Sequence, residues 1–234
     1  MDSIEIKELT QTYFDARGEP FRALDHISLE WNAGNSIAIM GKSGSGKSTL
    51  ARLMIGLERP SKGSVIIDGE NTSSWRFSKW RKYRAAIQAV FQDVGGTLNP
   101  AWSTMRNVEE ALCNFTTLPQ AQRKRKIMEL MSLTGLRESI LNIPASQLSG
   151  GEQRRLALLR SLSVCPKFLI LDEVTAGLDL LSTEAVLQVL EQYQREHDCT
   201  YFVITHDTQI ASRLCKTTYE IENGRFTRKA VRCT

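Results

Sequence analysis

One stretch limits what this chain can fold into more than any other. Ser36-Ile37-Ala38-Ile39-Met40 runs into Gly41-Lys42-Ser43-Gly44-Ser45-Gly46-Lys47-Ser48-Thr49, and Leu50-Ala51-Arg52-Leu53-Met54-Ile55 continues as a helical pattern. An apolar strand, a glycine-rich loop and a helix, in that order, are what the pattern G-x-x-x-x-G-K-[ST] needs in order to hold phosphate. The glycines let the main chain wrap a polyphosphate closely, and the loop N–H groups and helix N-terminus aim positive dipole ends at it. Lys47 brings a mobile full charge to the β and γ phosphates. Ser48 offers a hydroxyl to Mg²⁺, which prefers hard oxygen ligands. A Gly/Ser-rich turn that merely contains lysine would account for the loop but not for its flanks.

The rest of the chain supplies a matching sheet. Apolar, β-like runs recur at 4–9, 36–40, 64–68, 86–92, 168–172 and 201–205, several apolar throughout, as expected of strands covered on both faces. Helical patterns fall at 47–55, 120–134, 150–164 and 183–196, and strands alternating with helices predict an α/β fold with a mainly parallel sheet. The opening third differs, with strand-like runs separated by the turn signals Asn32-Ala33-Gly34 and Asp68-Gly69, which predicts an N-terminal antiparallel β layer. Residues 93–164 lack a strong strand and read as a helical insertion. The expected organisation is a single domain, with 1–92 and 165–234 as its core and 93–164 as a helical subdomain.

At 234 residues and 41% hydrophobic content the chain can bury a sizeable core. A net charge of +4 is too mild for a nucleic-acid footprint, so no nucleic-acid partner is expected. The run Arg123-Lys124-Arg125-Lys126 reads as the solvated face of an amphipathic helix. The five cysteines contain no C-x-x-C pair and read as free thiols in a reducing cytosol. The N-terminus carries no signal-peptide pattern, and no window approaches the roughly 20 apolar residues of a membrane span. Any membrane role therefore calls for other chains.

Two further strand ends carry chemistry. Phe168-Leu169-Ile170-Leu171 stops abruptly at Asp172-Glu173. Beside a phosphate loop, Asp172 can hold Mg²⁺ through water while Glu173 polarises an attacking water. An ordinary strand exit into solvent would explain the two acids alone but not their company. Tyr201 to Thr205 ends in His206-Asp207; a lone histidine at a strand end is usually structural, and only the motifs around it suggest that it reports the γ-phosphate.

Gln147-Leu148-Ser149-Gly150-Gly151-Glu152-Gln153-Arg154-Arg155 opens another helix. A Ser-Gly-Gly turn at a helix N-terminus serves equally as a plain cap and as a second anion site. This segment resembles the signature of the ATP-binding-cassette (ABC) family, and the likeness covers nearly the whole chain. The resemblance implies a P-loop NTPase (RecA-like) core. It also implies that Tyr13 stacks on adenine, that Gln92 contacts Mg²⁺ and the attacking water, that Glu173 is the catalytic base and that His206 is the switch histidine. By the same resemblance two ATPase subunits, identical or different, face head to tail. ATP on the loop Gly41 to Thr49 of one is then closed by Ser149, Gly150, Gly151, Glu152 and Asp179 of the other, and hydrolysis releases the pair.

Within the family, Met40 to Arg52, Val90-Phe91-Gln92-Asp93 and Leu98-Asn99-Pro100 look most like the ATPase subunits of dipeptide, oligopeptide and nickel importers. That implies a subunit peripheral on the cytoplasmic face of the cell membrane, with separate permease subunits and, indirectly, an extracytoplasmic solute-binding protein. The chain departs from the pattern at Val94, Val174 and Ala176-Gly177. The alternative is a soluble ABC-type ATPase of a non-transport complex; a small-molecule kinase would leave Ser149-Gly150-Gly151 unexplained.

Overall fold

The computed structural model of the chain describes residues 1–93 and 96–231; Val94, singled out above, and Cys233, one of the five cysteines, lie outside them. In chain order the elements are β1 (Ser3–Phe14), β2 (Pro20–Asn32), β3 (Ile37–Met40), α1 (Lys47–Met54), β4 (Lys62–Ile67), β5 (Glu70–Asn71), α2 (Phe77–Arg84), β6 (Ile87–Val90), α3 (Thr104–Phe115), α4 (Gln120–Leu133), α5 (Gly150–Ser163), β7 (Phe168–Asp172), α6 (Leu180–His197), β8 (Thr200–Ile204), α7 (Thr208–Leu214), β9 (Thr217–Glu222) and β10 (Arg225–Val231). They fall into two units. The first is Met1–Tyr83 with Ile170–Asp172 and Thr200–Thr234; the second is Arg84–Leu169 with Glu173–Cys199.

In the first unit β2-β1-β4-β5 form the antiparallel layer. Ile4 and Ile6 of β1 face inward in ordinary alternation, but Glu8 adopts φ 49° and the register shifts there, so the strand runs on to Phe14 as a bulged ribbon. The bulge breaks the period-2 pattern, which is why the sequence shows only the first half of this strand. β2 is bulged at His26 (φ 53°) and buries Leu24, Ile27, Leu29 and Trp31.

The same unit holds the ribbon β10-β9-β3-β8, which continues to the last residues of β7. β3 pairs in parallel with β8 and with β9, with Ile37 opposite Phe202 and Thr217. Ile37, Ala38, Ile39, Tyr201, Phe202, Val203 and Ile204 are all buried, as the uninterrupted apolar runs require. Trp31 meets Phe202 edge to face, ring centroids 5.4 Å apart, joining β2 to the parallel strands.

The second unit is built on α3, α4, α5 and α6, with β6 beside the start of β7. It takes in the stretch 93–164 together with 84–92, 165–169 and 173–199, which the sequence pattern assigns to the core. Leu156, Leu158, Leu159 and Leu162 are buried on α5, which packs on α3 and α4; Val186, Leu187 and Leu190 are buried on α6, whose Tyr193 hydroxyl donates to the Leu162 carbonyl at 2.9 Å. α3 starts on Ser103, whose Oγ accepts from Arg106 N at 3.2 Å, and buries Thr104, Asn107, Val108 and Ala111 at helical spacing. Ion pairs Arg160–Glu110 and Arg123–Glu109 bind α5 and α4 to it. The basic run of α4 is thus only partly a solvated face. Lys124 and Arg125 are exposed, whereas Arg123 is braced and Lys126 Nζ lies 3.0 Å from Cys165 Sγ.

Candidate active site

The phosphate loop hangs between β3 and α1, and its shape is fixed from behind by main chain. A Cβ on Gly46, which has φ 104°, would lie 2.3 Å from the Ala23 carbonyl oxygen; one on Gly41 would lie 2.3 Å from that of Ile221. Both positions therefore demand glycine. Gly224 N donates to Ser45 O at 3.2 Å, so the β9–β10 turn holds the loop directly.

That turn is in turn clamped. Asp25 N donates to Gly224 O at 2.8 Å, and the Asp25 carboxylate, only 8% exposed, accepts from Arg225 Nε at 2.7 Å and Nη2, and from Arg22 at 3.3 Å, with His26 Nδ1 2.7 Å away. The Arg225 hydrogen bond leads the causes that hold the Asp25 carboxyl below its ordinary range, against the opposing effect of burial. The part of this clamp that reaches the β9–β10 turn was not legible in the sequence, because Arg225 lies 200 residues from Asp25.

Inside the loop, Lys47 is buried and its Nζ donates to Gly41 O at 2.8 Å and Lys42 O at 2.7 Å. Ser45 Oγ is buried without a protein hydrogen-bond partner. A mobile ammonium resting on loop carbonyls and an unsatisfied buried hydroxyl are the donor set that phosphate oxygens would complete. A cleft of about 480 Å³ borders the loop, walled on its far side by Glu220, Glu222, Asn223 and Thr227. That lining sets Lys42 of the loop against two acids, and Lys47 is not part of it.

Asp172 ends β7, whose five residues are all buried, and is itself only 3% exposed. Glu173 follows at φ 49°, a left-handed conformation that costs a non-glycine residue about 1–2 kcal/mol. Strain of this kind gathers at functional turns, and no sequence pattern announces it. His206 is exposed just after β8; Asp207 beside it caps α7, accepting from Gln209 N at 2.7 Å and Ile210 N at 3.4 Å. Tyr13 stands near the end of β1, its ring 5.8 Å from that of Phe21 and its hydroxyl donating to Glu58.

The remaining positions belong to the second unit. Ser149 caps α5 in a full capping box: its Oγ accepts from Glu152 N at 3.3 Å, and its own N and Oγ donate to Glu152 Oε2 at 2.9 and 2.8 Å. The backbone N–H of Ser149, first among these bonds, draws the Glu152 carboxyl below its ordinary range. Gly150 is exposed at the helix start and Gly151 half-buried. Asp179 caps α6, accepting from Ser182 Oγ at 2.7 Å and N at 2.9 Å, and those bonds lower its pKa. Gln92 is exposed just after β6. The sequence reading missed Arg154, whose guanidinium donates to the Ala176 carbonyl and so ties α5 to the loop that follows Glu173. Gly177 within that loop has φ 71°, which explains a glycine there. Burial pushes the Cys199 and Cys215 thiols far up, so neither is a ready nucleophile.

The sequence pattern of the ABC transporter family matches residues 24–176. The chain belongs to that family. As an ABC cassette it binds and hydrolyses ATP as the energising subunit of a transporter. It is 33% identical over 230 residues to the nickel import ATP-binding protein NikE of Escherichia coli (strain 536), a match covering 97% of this chain and 86% of that protein. With the NikE of Rhodospirillum rubrum it shares 34% over 207 residues, 88% of this chain and 75% of the relative. Among solved structures, the dimeric ATP-binding cassette MJ0796 in a post-hydrolysis state bound to ADP and Pi superposes with TM-score 0.89 at 30% identity, covering 97% and 98% of the two chains. CbiO1 from Clostridium perfringens, part of the ABC transporter complex cbiONQ, gives 0.80 at 31% identity, covering 99% and 89%. No helix among the described residues of the cassette is long and apolar enough to cross a membrane.

Proposed function

We propose that this cassette energises import of a small solute, nickel or a peptide-like compound, from the inner face of the cell membrane, through separate permease subunits fed by an extracytoplasmic solute-binding protein. The relatives named for nickel import support the cargo class. The observation that carries the ATPase chemistry is Lys47 buried against the loop carbonyls, poised to exchange them for the β and γ phosphates. In this reading Tyr13 receives adenine and residues Gly41 to Thr49 receive the phosphates, with Ser45 Oγ gaining the partner it lacks within the protein.

Ser48, Gln92 and, through water, Asp172 would hold Mg²⁺. All are hard oxygen donors, but too few without phosphate oxygens, and no group of three His, Cys, Asp or Glu among the described residues could hold a metal by itself. Bound with the nucleotide, Mg²⁺ would neutralise charge on the β and γ phosphates. Glu173 takes the proton of the attacking water, Gln92 positions that water, and His206 reads the γ-phosphate. A second ATPase, identical or related, would lend Ser149, Gly150, Gly151, Glu152 and Asp179 across the interface. Leu180 and Leu181, 83% and 82% exposed beside Asp179, favour such a covered surface.

Glu173→Gln should retain ATP, slow hydrolysis by about 10²–10⁴ and accumulate an ATP-bound dimer in light scattering. Turnover at the wild-type rate would remove Glu173 from the mechanism. Purification from its native membrane should recover hydrophobic permease chains; recovery with soluble enzymes alone would favour a non-transport assembly.

A further inference from the structure

The chain leaves α1 by a left-handed turn. Gly56, at φ 68°, closes it: its N–H donates to Leu53 O at 3.1 Å, and Leu57 N to Arg52 O at 3.0 Å. This return brings Glu58 back alongside the helix. There Arg52 Nε donates to Glu58 Oε1 at 2.5 Å, and Arg52 Nη2 reaches Thr49 Oγ1, at the end of the phosphate loop, at 3.3 Å. The other carboxylate oxygen of Glu58 accepts from the Tyr13 hydroxyl. Three residues further on, Ser61 secures the same strand, donating from N to Thr10 O at 3.1 Å and to Gln11 Oε1 at 3.0 Å, while its Oγ accepts from Thr12 N at 3.1 Å.

We propose that Glu58 is a positioning residue for nucleotide recognition: bridging Tyr13 on β1 and Arg52 on α1, it sets the span between the aromatic that receives the base and the loop that receives the phosphates. The inference rests on Tyr13 being the base platform. Glu58 and Arg52 are only 28% and 36% exposed, so the bridge is partly shielded from water. The residue type matters. Arg52 can only donate, and the Tyr13 hydroxyl donates here as well; glutamine would take the charge out of both bonds and could keep the phenol contact only by reversing it, its NH₂ donating to the hydroxyl oxygen. With phenol and guanidinium anchored on one group, the ring cannot swing away from α1 without breaking a charge-assisted bond.

The test is equilibrium binding of ATP and of tripolyphosphate, which lacks a base, to the purified full chain in EDTA. Tyr13→Ala should weaken ATP by roughly 5- to 150-fold, the worth of one base–aromatic stack. Glu58→Ala should weaken ATP by roughly 3- to 10-fold, a fraction of that stack, and leave tripolyphosphate within about twofold, with Glu58→Gln, which keeps only an uncharged bridge, falling between Glu58→Ala and the wild type. Tyr13→Phe, which keeps the ring and loses the hydroxyl, should match Glu58→Ala and add nothing in the double variant. Equal weakening of both ligands would mean a merely structural role and overturn the proposal. So would unchanged ATP binding in the Glu58 variants while Tyr13→Ala weakens it. Should Tyr13→Ala itself bind ATP normally, the base-platform assignment falls first and the proposal with it.

Discussion

Gly46→Ala is the sharpest probe of how the phosphate loop is held. The new methyl carbon would sit 2.3 Å from the Ala23 carbonyl oxygen and 2.8 Å from Leu24 Cδ2, on a backbone at φ 104° and ψ 0°. Even close C···O contacts stay near 3.3 Å, so loop or strand must give way by about 1 Å. The left-handed backbone costs about 1–2 kcal/mol and overpacking about 1–3 kcal/mol, giving a loss of about 2–5 kcal/mol where the loop stays in place. If the loop yields instead, a displacement of about 1 Å in a positioned site can cost on the order of 100-fold in function. Urea unfolding and ATP binding, measured side by side, divide the penalty between the two routes. Gly44→Ala is the control: Gly44 has φ 78° but open space around it, so only the backbone cost of about 1–2 kcal/mol applies. Wild-type stability and wild-type ATP affinity in Gly46→Ala would refute the account of a loop braced against β2.

Two smaller perturbations address its surroundings. Because Arg225 and its neighbours depress the Asp25 pKa, the stability this carboxylate contributes is complete above its ordinary value of 3.8 and fades as pH falls through the lower folded value. Asp25→Asn should destabilise at neutral pH and flatten acid unfolding in that window; an unchanged acid limb in a pH-resolved melt would contradict the clamp. Asp207→Ala removes the acceptor for two α7 amides and should cost about 0.5–2 kcal/mol in thermal unfolding. A melt matching the wild type would dismiss that cap.

The parts legible in the sequence are those that local chemistry dictates. β7 could be read to its last residue because a strand covered on both faces is a continuous apolar run and its end is an abrupt pair of acids. The loop Gly41 to Thr49 could be read because strand, glycines and helix are contiguous. β2 resisted because the His26 bulge and the buried Asp25 interrupt its alternation. α3 was passed over although Ser103 announces it, since its inward face includes the polar Thr104 and Asn107. The Asp25–Arg225 bond and the reach of Arg154 to Ala176 depend on contacts between separated segments, and the left-handed turn at Glu173 falls on a residue type that does not announce it, so no short pattern encodes them.

That last contact has a mechanical consequence. The arginine sits five residues beyond Ser149 and donates to the peptide that leads to Asp179, so a hydrogen bond couples the two chain segments. A tug delivered at the start of α5 is transmitted through a guanidinium to the head of α6. Where a neighbouring molecule touches both, it meets two chain segments already joined to each other.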